Sequence, residues 1–244
     1  MRVPKYYTCK LRLLALIDGA AAGTMLPTER ELAERFETSR TTVRQALTEL
    51  VSEGRLDRVQ GRGTFVAEPK VVHVRQLTSF SEDLGDRDTR SELIALGEDD
   101  ADAATAAHLG LEAGAAVQCI ERVRWVGDEP LAHETARLPG ALAVAAEELG
   151  EHGSLYRTLR ERHGVSIVGA DDEVETALAS PEEARLLGTE VGQPLLVVHR
   201  TAWDESGRIV EWTRSVFRGD RFRFQARVGS RPSGDRAPAQ DRLA

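Results

Sequence analysis

The stretch that most constrains this chain runs from Thr28 to Val66. Thr28-Glu29-Arg30-Glu31 carries a capping box: the Thr28 hydroxyl accepts from the backbone N–H of Glu31, whose carboxylate reaches back to the N–H of Thr28. A short helix to Phe36 follows, Glu37-Thr38 breaks it, and Ser39 caps a second helix from Arg40 to about Glu53. Val43, Ala46, Leu47, Leu50 and Val51 fall on one apolar stripe of that helix, and Gly54 ends it as a left-handed residue. From Arg55 to Val66 two β-prone runs flank Gly61-Arg62-Gly63, which reads as a hairpin with a cationic tip. Two helices joined by so tight a turn, followed by a hairpin, form a winged helix-turn-helix. As a bare pattern, the same elements also describe a small α+β core.

The polar face of the second helix favours nucleic acid. Ser39, Arg40, Thr41, Thr42 and Arg44 crowd its first turns, where free N–H groups and the helix dipole meet phosphates. Arg40 and Arg44 are i,i+4 neighbours, and a guanidinium can bind guanine O6 and N7 with two parallel bonds. A net charge of −8 looks wrong for such a partner, but it is uneven. Residues 1–70 carry 12 Lys and Arg against 9 Asp and Glu, and the remainder 20 against 31, so a mildly basic head precedes an acidic body.

The 244 residues suffice for two modest domains, with a boundary expected near residue 70. Tyr7, Leu11, Leu13, Leu14 and Ile17 predict a first helix over 5–18, and Gly19 to Pro27 reads as a linker. No apolar run approaches a membrane span and the N-terminus has no signal-peptide block, so a cytoplasmic protein is expected. Cys9 and Cys119 lie far apart, and the histidines show no ligand spacing, so neither a metal nor a cofactor is expected. Val71 to Gln76 is an extended linker or an edge strand. Thr78 to Asp83 is either a helix start capped by Ser79 and Glu82 or an anion cradle.

Beyond the head the chain repeats itself at an offset of 78: Leu109-Gly110 is echoed by Leu187-Gly188, Arg122 by Arg200 and Trp125 by Trp203. Each copy reads as a helix, a glycine-flanked turn and a hairpin, with strands near 116–125 and 131–138, then 195–203 and 209–217. A turn one residue shorter in the second copy would align Glu134 with Glu211. Between the copies lie a helix from Ser154 to about Arg162 and a strand near 167–177; a last strand spans 222–228. This predicts an α+β chain: a winged helix in residues 1–70, then an antiparallel sheet with helices on one side in residues 71–228. The segment 229–244 has almost no apolar content and is expected to be disordered.

Arg122 and Arg124, two apart on one strand, share a face, with Glu134 on the returning strand and Ser154-Leu155-Tyr156 at a helix start. Such a strand pair either lies on the outer surface or, with hydroxyls and helix N–H groups, recognises a phosphorylated small molecule. Glu134 and Glu211 admit an acid–base reading as well, but no nucleophile elbow accompanies them.

The runs Pro27-Thr28-Glu29-Arg30, Ser39 to Leu47 and Gln60 to Val66 closely resemble the GntR family of bacterial transcription regulators. That resemblance implies DNA contacts from Arg30, Ser39, Arg40, Thr41, Thr42 and Arg44, and from Gln60, Gly61 and Arg62 of the wing. The order of later elements resembles the HutC branch, whose sensor (the UTRA domain) has a chorismate-lyase-like fold. The likeness implies a homodimeric regulator rather than an enzyme, a repressor on double-stranded DNA with a GT-N-TA-N-AC-like palindrome. Ser79, Arg122, Arg124, Glu134, Ser154, Tyr156 and Glu211 match that branch's effector positions. The chain resembles in particular the actinobacterial regulators of N-acetylglucosamine use, which implies an amino-sugar phosphate such as glucosamine 6-phosphate as effector. Phe217 stands at an effector position where those relatives carry tyrosine, and residues 84–92 look shorter than theirs.

Overall fold

The computed structural model describes residues 3–74 and 88–225. They divide into two compact units, cut between Lys70 and Val71.

In the first unit, helix α1 (Lys5–Ile17) packs across α2 (Glu29–Arg35) and α3 (Arg40–Ser52). The capping box at Thr28 and Glu31 is present, and the Ser39 hydroxyl accepts from the Thr42 N–H at 3.1 Å. Val43, Ala46, Leu47 and Leu50 are buried as the stripe requires. On α1 the buried face is Cys9, Leu13 and Ile17, whereas Tyr7 and Leu11 are exposed. The larger side chains pointed to the wrong stripe, because a small cysteine at i with Leu at i+4 and Ile at i+8 fits closer against α3. Strands β1 (Leu56–Val59) and β2 (Gly63–Val66) form the wing. Residues 24–26 are not a free linker: Met25 bridges Phe65, and the Leu26 N–H donates to the Thr64 carbonyl at 2.8 Å.

In the second unit, strands β4 (Thr89–Asp100), β5 (Ala116–Val126), β6 (Glu129–Pro139), β7 (Ile167–Leu178), β8 (Pro194–Asp204) and β9 (Ile209–Arg218) build one antiparallel sheet. Their order is β4-β5-β6-β9-β8-β7. The repeat is larger than the sequence echo showed, since β4 and β7 also begin and end 78 residues apart. The halves meet along β6 and β9, with Thr135 opposite Arg214 at the pseudo-two-fold.

Strand register corrects the alignment of the second hairpin. Arg122 lies opposite Glu134, and its counterpart Arg200 lies opposite Thr213. The second turn is therefore one residue longer, not shorter, and Glu134 corresponds to Thr213. Glu211, opposite Ala202, corresponds to Ala132 instead. Two glycines obey the corrected register: a Cβ on Gly140 would lie 2.9 Å from the Ala116 carbonyl oxygen, and one on Gly219 would lie 2.6 Å from that of Pro194. Each half closes its hairpin by the same backbone approach, which tolerates no side chain.

Helices cover both faces of the sheet rather than one. Helices α4 (Ala103–Leu109) and α7 (Pro181–Leu186) pack on the face of Val117, Val197 and Val216. Helices α5 (Ala146–His152) and α6 (Leu155–His163) cover the opposite face, around Ile120, Ala136 and Leu138. Side chains alternate along a strand, so Val117 and Ile120 necessarily point to different layers. The Gln118 amide both accepts from the Val144 N–H and donates to its carbonyl, fixing the approach to α5. Finally β3 (Val71–Val74) pairs in parallel with β10 (Phe222–Gln225), a pairing that local sequence pattern does not encode.

Candidate DNA interface and effector site

On the head, Arg30, Ser39, Arg40, Thr41 and Arg44 are exposed, as are Gln60, Gly61 and Arg62 at the wing tip; Thr42 is half-buried. Ser39 and Thr42 are occupied with each other at the cap, hydroxyl to hydroxyl at 2.8 Å. Arg30 pairs loosely with Glu34 one turn on, at 3.3 Å. Arg44 is held firmly: its Nε and Nη2 both donate to the Glu29 carboxylate, the latter at 2.8 Å. Arg58 of β1 joins the same carboxylate at 3.2 Å. The hydrogen bond from Arg44, then the charges of Arg44 and Arg58, hold Glu29 below the usual carboxylate range. An array of exposed cations and hydroxyls on a helix and an adjoining wing is what groove and phosphate contact requires.

In the second unit, the pleat puts Arg122 and Arg124 of β5 and Glu134 of β6 on the face beneath α5 and α6. All three are buried. Both guanidiniums donate to the same Glu134 oxygen, Arg124 at 2.9 Å. Burial alone would raise the Glu134 carboxyl, but Arg122 and Arg124 hold it at about 2. Burial, then its neighbour Arg122, lowers Arg124.

Ser154 caps α6 with a 3.3 Å bond from the Arg157 N–H, and that start points Tyr156 at the sheet. The Tyr156 hydroxyl donates to Glu211 at 2.8 Å. Burial and the Glu134 charge push the Glu211 carboxyl up, against its bonds with Thr213 and Tyr156. Burial and the Glu211 charge push the Tyr156 phenol well up.

The structure thus gathers Arg122, Arg124, Glu134, Tyr156 and Glu211 on one buried face, with Ser154 at its edge. Phe217 lies on the same face, opposite Ala132, but stacks on Phe222 with ring centroids 3.9 Å apart, inside an apolar cluster with Leu131 and Val198. Ser79 and residues 84–87 of the segment 84–92 lie outside the described residues. The sequence reading missed Arg200 and Asp172. Arg200 is buried and forks onto Asp172 at 2.8 and 2.9 Å, while its charge reaches Tyr156. The signal was present, since Arg200 is the echo of Arg122. Three guanidiniums and three carboxylates on one dry face can exchange partners with an anionic, hydroxyl-bearing ligand.

No described helix is long and apolar enough to cross a membrane. Comparison with known proteins matches a family model to each of the two units. Residues 9–66 match the gntR family of bacterial regulatory proteins, and residues 85–223 match the UTRA domain. The chain is 40% identical to the HTH-type transcriptional repressor NagR of Bacillus subtilis, over 91% of this chain and 93% of that one. It is 34% identical to the mannosyl-D-glycerate transport/metabolism system repressor MngR of Escherichia coli, over 83% and 85%. The crystal structure of PhnF from Mycobacterium smegmatis superposes with a TM-score of 0.64 at 35% identity, covering 91% of this chain and all of that one. These relatives are repressors, not enzymes, and the chain belongs with them: it is a DNA-binding transcription regulator of the GntR family, carrying a UTRA sensor domain of the HutC type.

Proposed function

We propose that this regulator is a cytoplasmic homodimeric repressor of a palindromic operator, GT-N-TA-N-AC-like, released or tightened by a small phosphorylated sugar. The best candidates are glucosamine 6-phosphate and its N-acetyl form. One winged helix reads only a few base pairs, so two-fold symmetry supplies the second half-site.

The observation that carries the effector reading is the buried pair Arg122 and Arg124 sharing Glu134, beside Tyr156 and Glu211. Phosphate is a stronger bidentate acceptor than one shared carboxylate oxygen, and can take both guanidiniums together with the Ser154 hydroxyl. Glu134 and Glu211 then turn to the sugar hydroxyls or amine. They come from different halves of the repeat, so a ligand bridging them biases how the halves sit. A ligand that prefers one arrangement by a few kcal/mol shifts the equilibrium; one with equal affinity for both does nothing.

The test is a thermal-shift series with glucosamine 6-phosphate, N-acetylglucosamine 6-phosphate, the unphosphorylated sugars and inorganic phosphate. A true effector at 100 times its dissociation constant adds about 2.7 kcal/mol. Stabilisation by the phosphorylated sugars alone supports the reading. Equal response to inorganic phosphate reduces it to an anion site, and no response to any of them removes it.

A further inference from the structure

Glu29 connects three elements: it opens α2, binds Arg44 on α3 and binds Arg58 on wing strand β1. We propose that Glu29 is a positioning residue for base readout, fixing the Arg44 guanidinium in the pose that reads a guanine.

Arg44 is more than half exposed, with 59% of its side chain open to solvent, and such a chain ordinarily samples many rotamers. Here Nε and Nη2 are committed to the carboxylate. Those are the two nitrogens of the guanidinium's side edge. The remaining edge, Nη1 with the second hydrogen of Nη2, points away from Glu29. That edge presents two parallel N–H groups, the match for guanine O6 and N7. Glu29 itself is 21% exposed and keeps its charge through its arginine partners, so it is a firm anchor. A carboxylate near a DNA-facing helix repels phosphates. Its presence lowers affinity for any DNA, and pre-ordering Arg44 returns that loss only at the right base.

The inference rests on the recognition-helix reading, and the experiment separates the two. The full-length wild type, Glu29→Gln, Glu31→Gln and Arg44→Ala are each used to select duplexes from a random pool, and each selected base is then changed singly in competition binding. Glu29→Gln keeps the shape and loses the charge. It should cut discrimination at one base pair per half-site about tenfold, and should bind unselected DNA more tightly than wild type. Arg44→Ala should lose the same base pair. Glu31→Gln removes a neighbouring charge away from Arg44 while its amide oxygen keeps the capping box, so it should leave base preference intact. If Arg44→Ala flattens a position that Glu29→Gln leaves sharp, the positioning role is overturned while the recognition helix stands. If neither variant changes any base preference, the recognition-helix reading falls as well. A Glu29→Gln change that lowers affinity equally at all sequences marks a merely structural residue and also overturns the proposal.

Discussion

Arg122 and Arg200 occupy the same register position in the two halves of the sensor sheet, yet they turn in opposite directions for their charge partner. Arg122 reaches inward to Glu134 on β6, and Arg200 reaches outward to Asp172 on the edge strand β7. The cause is two substitutions in the repeat: the outward neighbour of Arg122 is Leu93, whereas that of Arg200 is Asp172. The second-half counterpart of Glu134 is Thr213, which carries no charge, so Arg200 must find its carboxylate elsewhere. The divergence leaves Glu211 with a hydroxyl partner, Tyr156, instead of a guanidinium fork.

Arg200→Met should therefore destabilise the protein by about 3–5 kcal/mol, because it leaves a largely buried Asp172 without its fork. The double variant Arg200→Met with Asp172→Leu should recover most of that loss. Urea unfolding of both variants checks the pair. A double variant no better than the single one would mean that Tyr156, rather than Asp172, is the partner that matters.

The head was readable almost residue by residue, because its signals are local. Thr28, Ser39 and Gly54 act within a few positions of themselves, and the α3 stripe is a period. The sensor was readable only where it echoed itself. Matching Glu134 to Glu211 depends on counting residues across two turns, and the length of a turn is fixed by backbone geometry that composition does not reveal. The Ser206 and Arg208 N–H groups both bond Asp204, which stretches the second turn by one residue. Strand β4 went unseen as the first half's copy of β7. Both are edge strands whose exposed faces blur the alternation that marks a half-buried strand.

Gly140 and Gly219 offer a direct check on the corrected repeat. Replacing either with alanine puts a Cβ against a backbone carbonyl that cannot swing away. Each change should cost about 1–3 kcal/mol, as overpacking does. Equivalent losses from the two variants, read by thermal denaturation, are expected from equivalent positions; a silent Gly219→Ala would contradict the closure geometry.

Glu37 is the non-glycine residue with positive φ among those described, at 52°, in the turn between α2 and α3. An L side chain there carries roughly 1–2 kcal/mol of strain, part of which glycine relieves. Glu37→Gly should raise stability by about 0.5–1 kcal/mol without changing operator affinity, as measured by chemical unfolding of the full chain alongside a binding titration. Destabilisation would show that the Glu37 side chain contributes contacts that outweigh its backbone strain.

Burial raises Glu211 above the ordinary carboxylate value of 4.5, so its folded form holds the proton more tightly than the unfolded chain does. Stability from this group is present below pH 4.5 and declines as the pH rises through the folded value. Glu211→Gln keeps an acceptor for Tyr156 and removes that decline. It should melt higher than wild type at pH 7, with the gain fading toward pH 4.5. Glu134 has the opposite sign. Held at about 2, it stabilises the fold above pH 4.5 and loses that contribution as acid approaches its folded value. A Glu134→Gln variant should be less stable at neutral pH and converge on wild type in acid. Parallel pH profiles for either variant and wild type would contradict its assignment.

The most direct test of the effector site is operator binding by fluorescence anisotropy, with and without millimolar glucosamine 6-phosphate or N-acetylglucosamine 6-phosphate, on wild type and Arg122→Ala. The wild type should change its operator affinity at least tenfold when effector is added. Arg122→Ala should bind the operator as wild type does and show no response, because Arg122 lies outside the head, buried on the face proposed to hold the effector. A wild type indifferent to both sugar phosphates, or an Arg122→Ala variant that responds normally, would contradict the account.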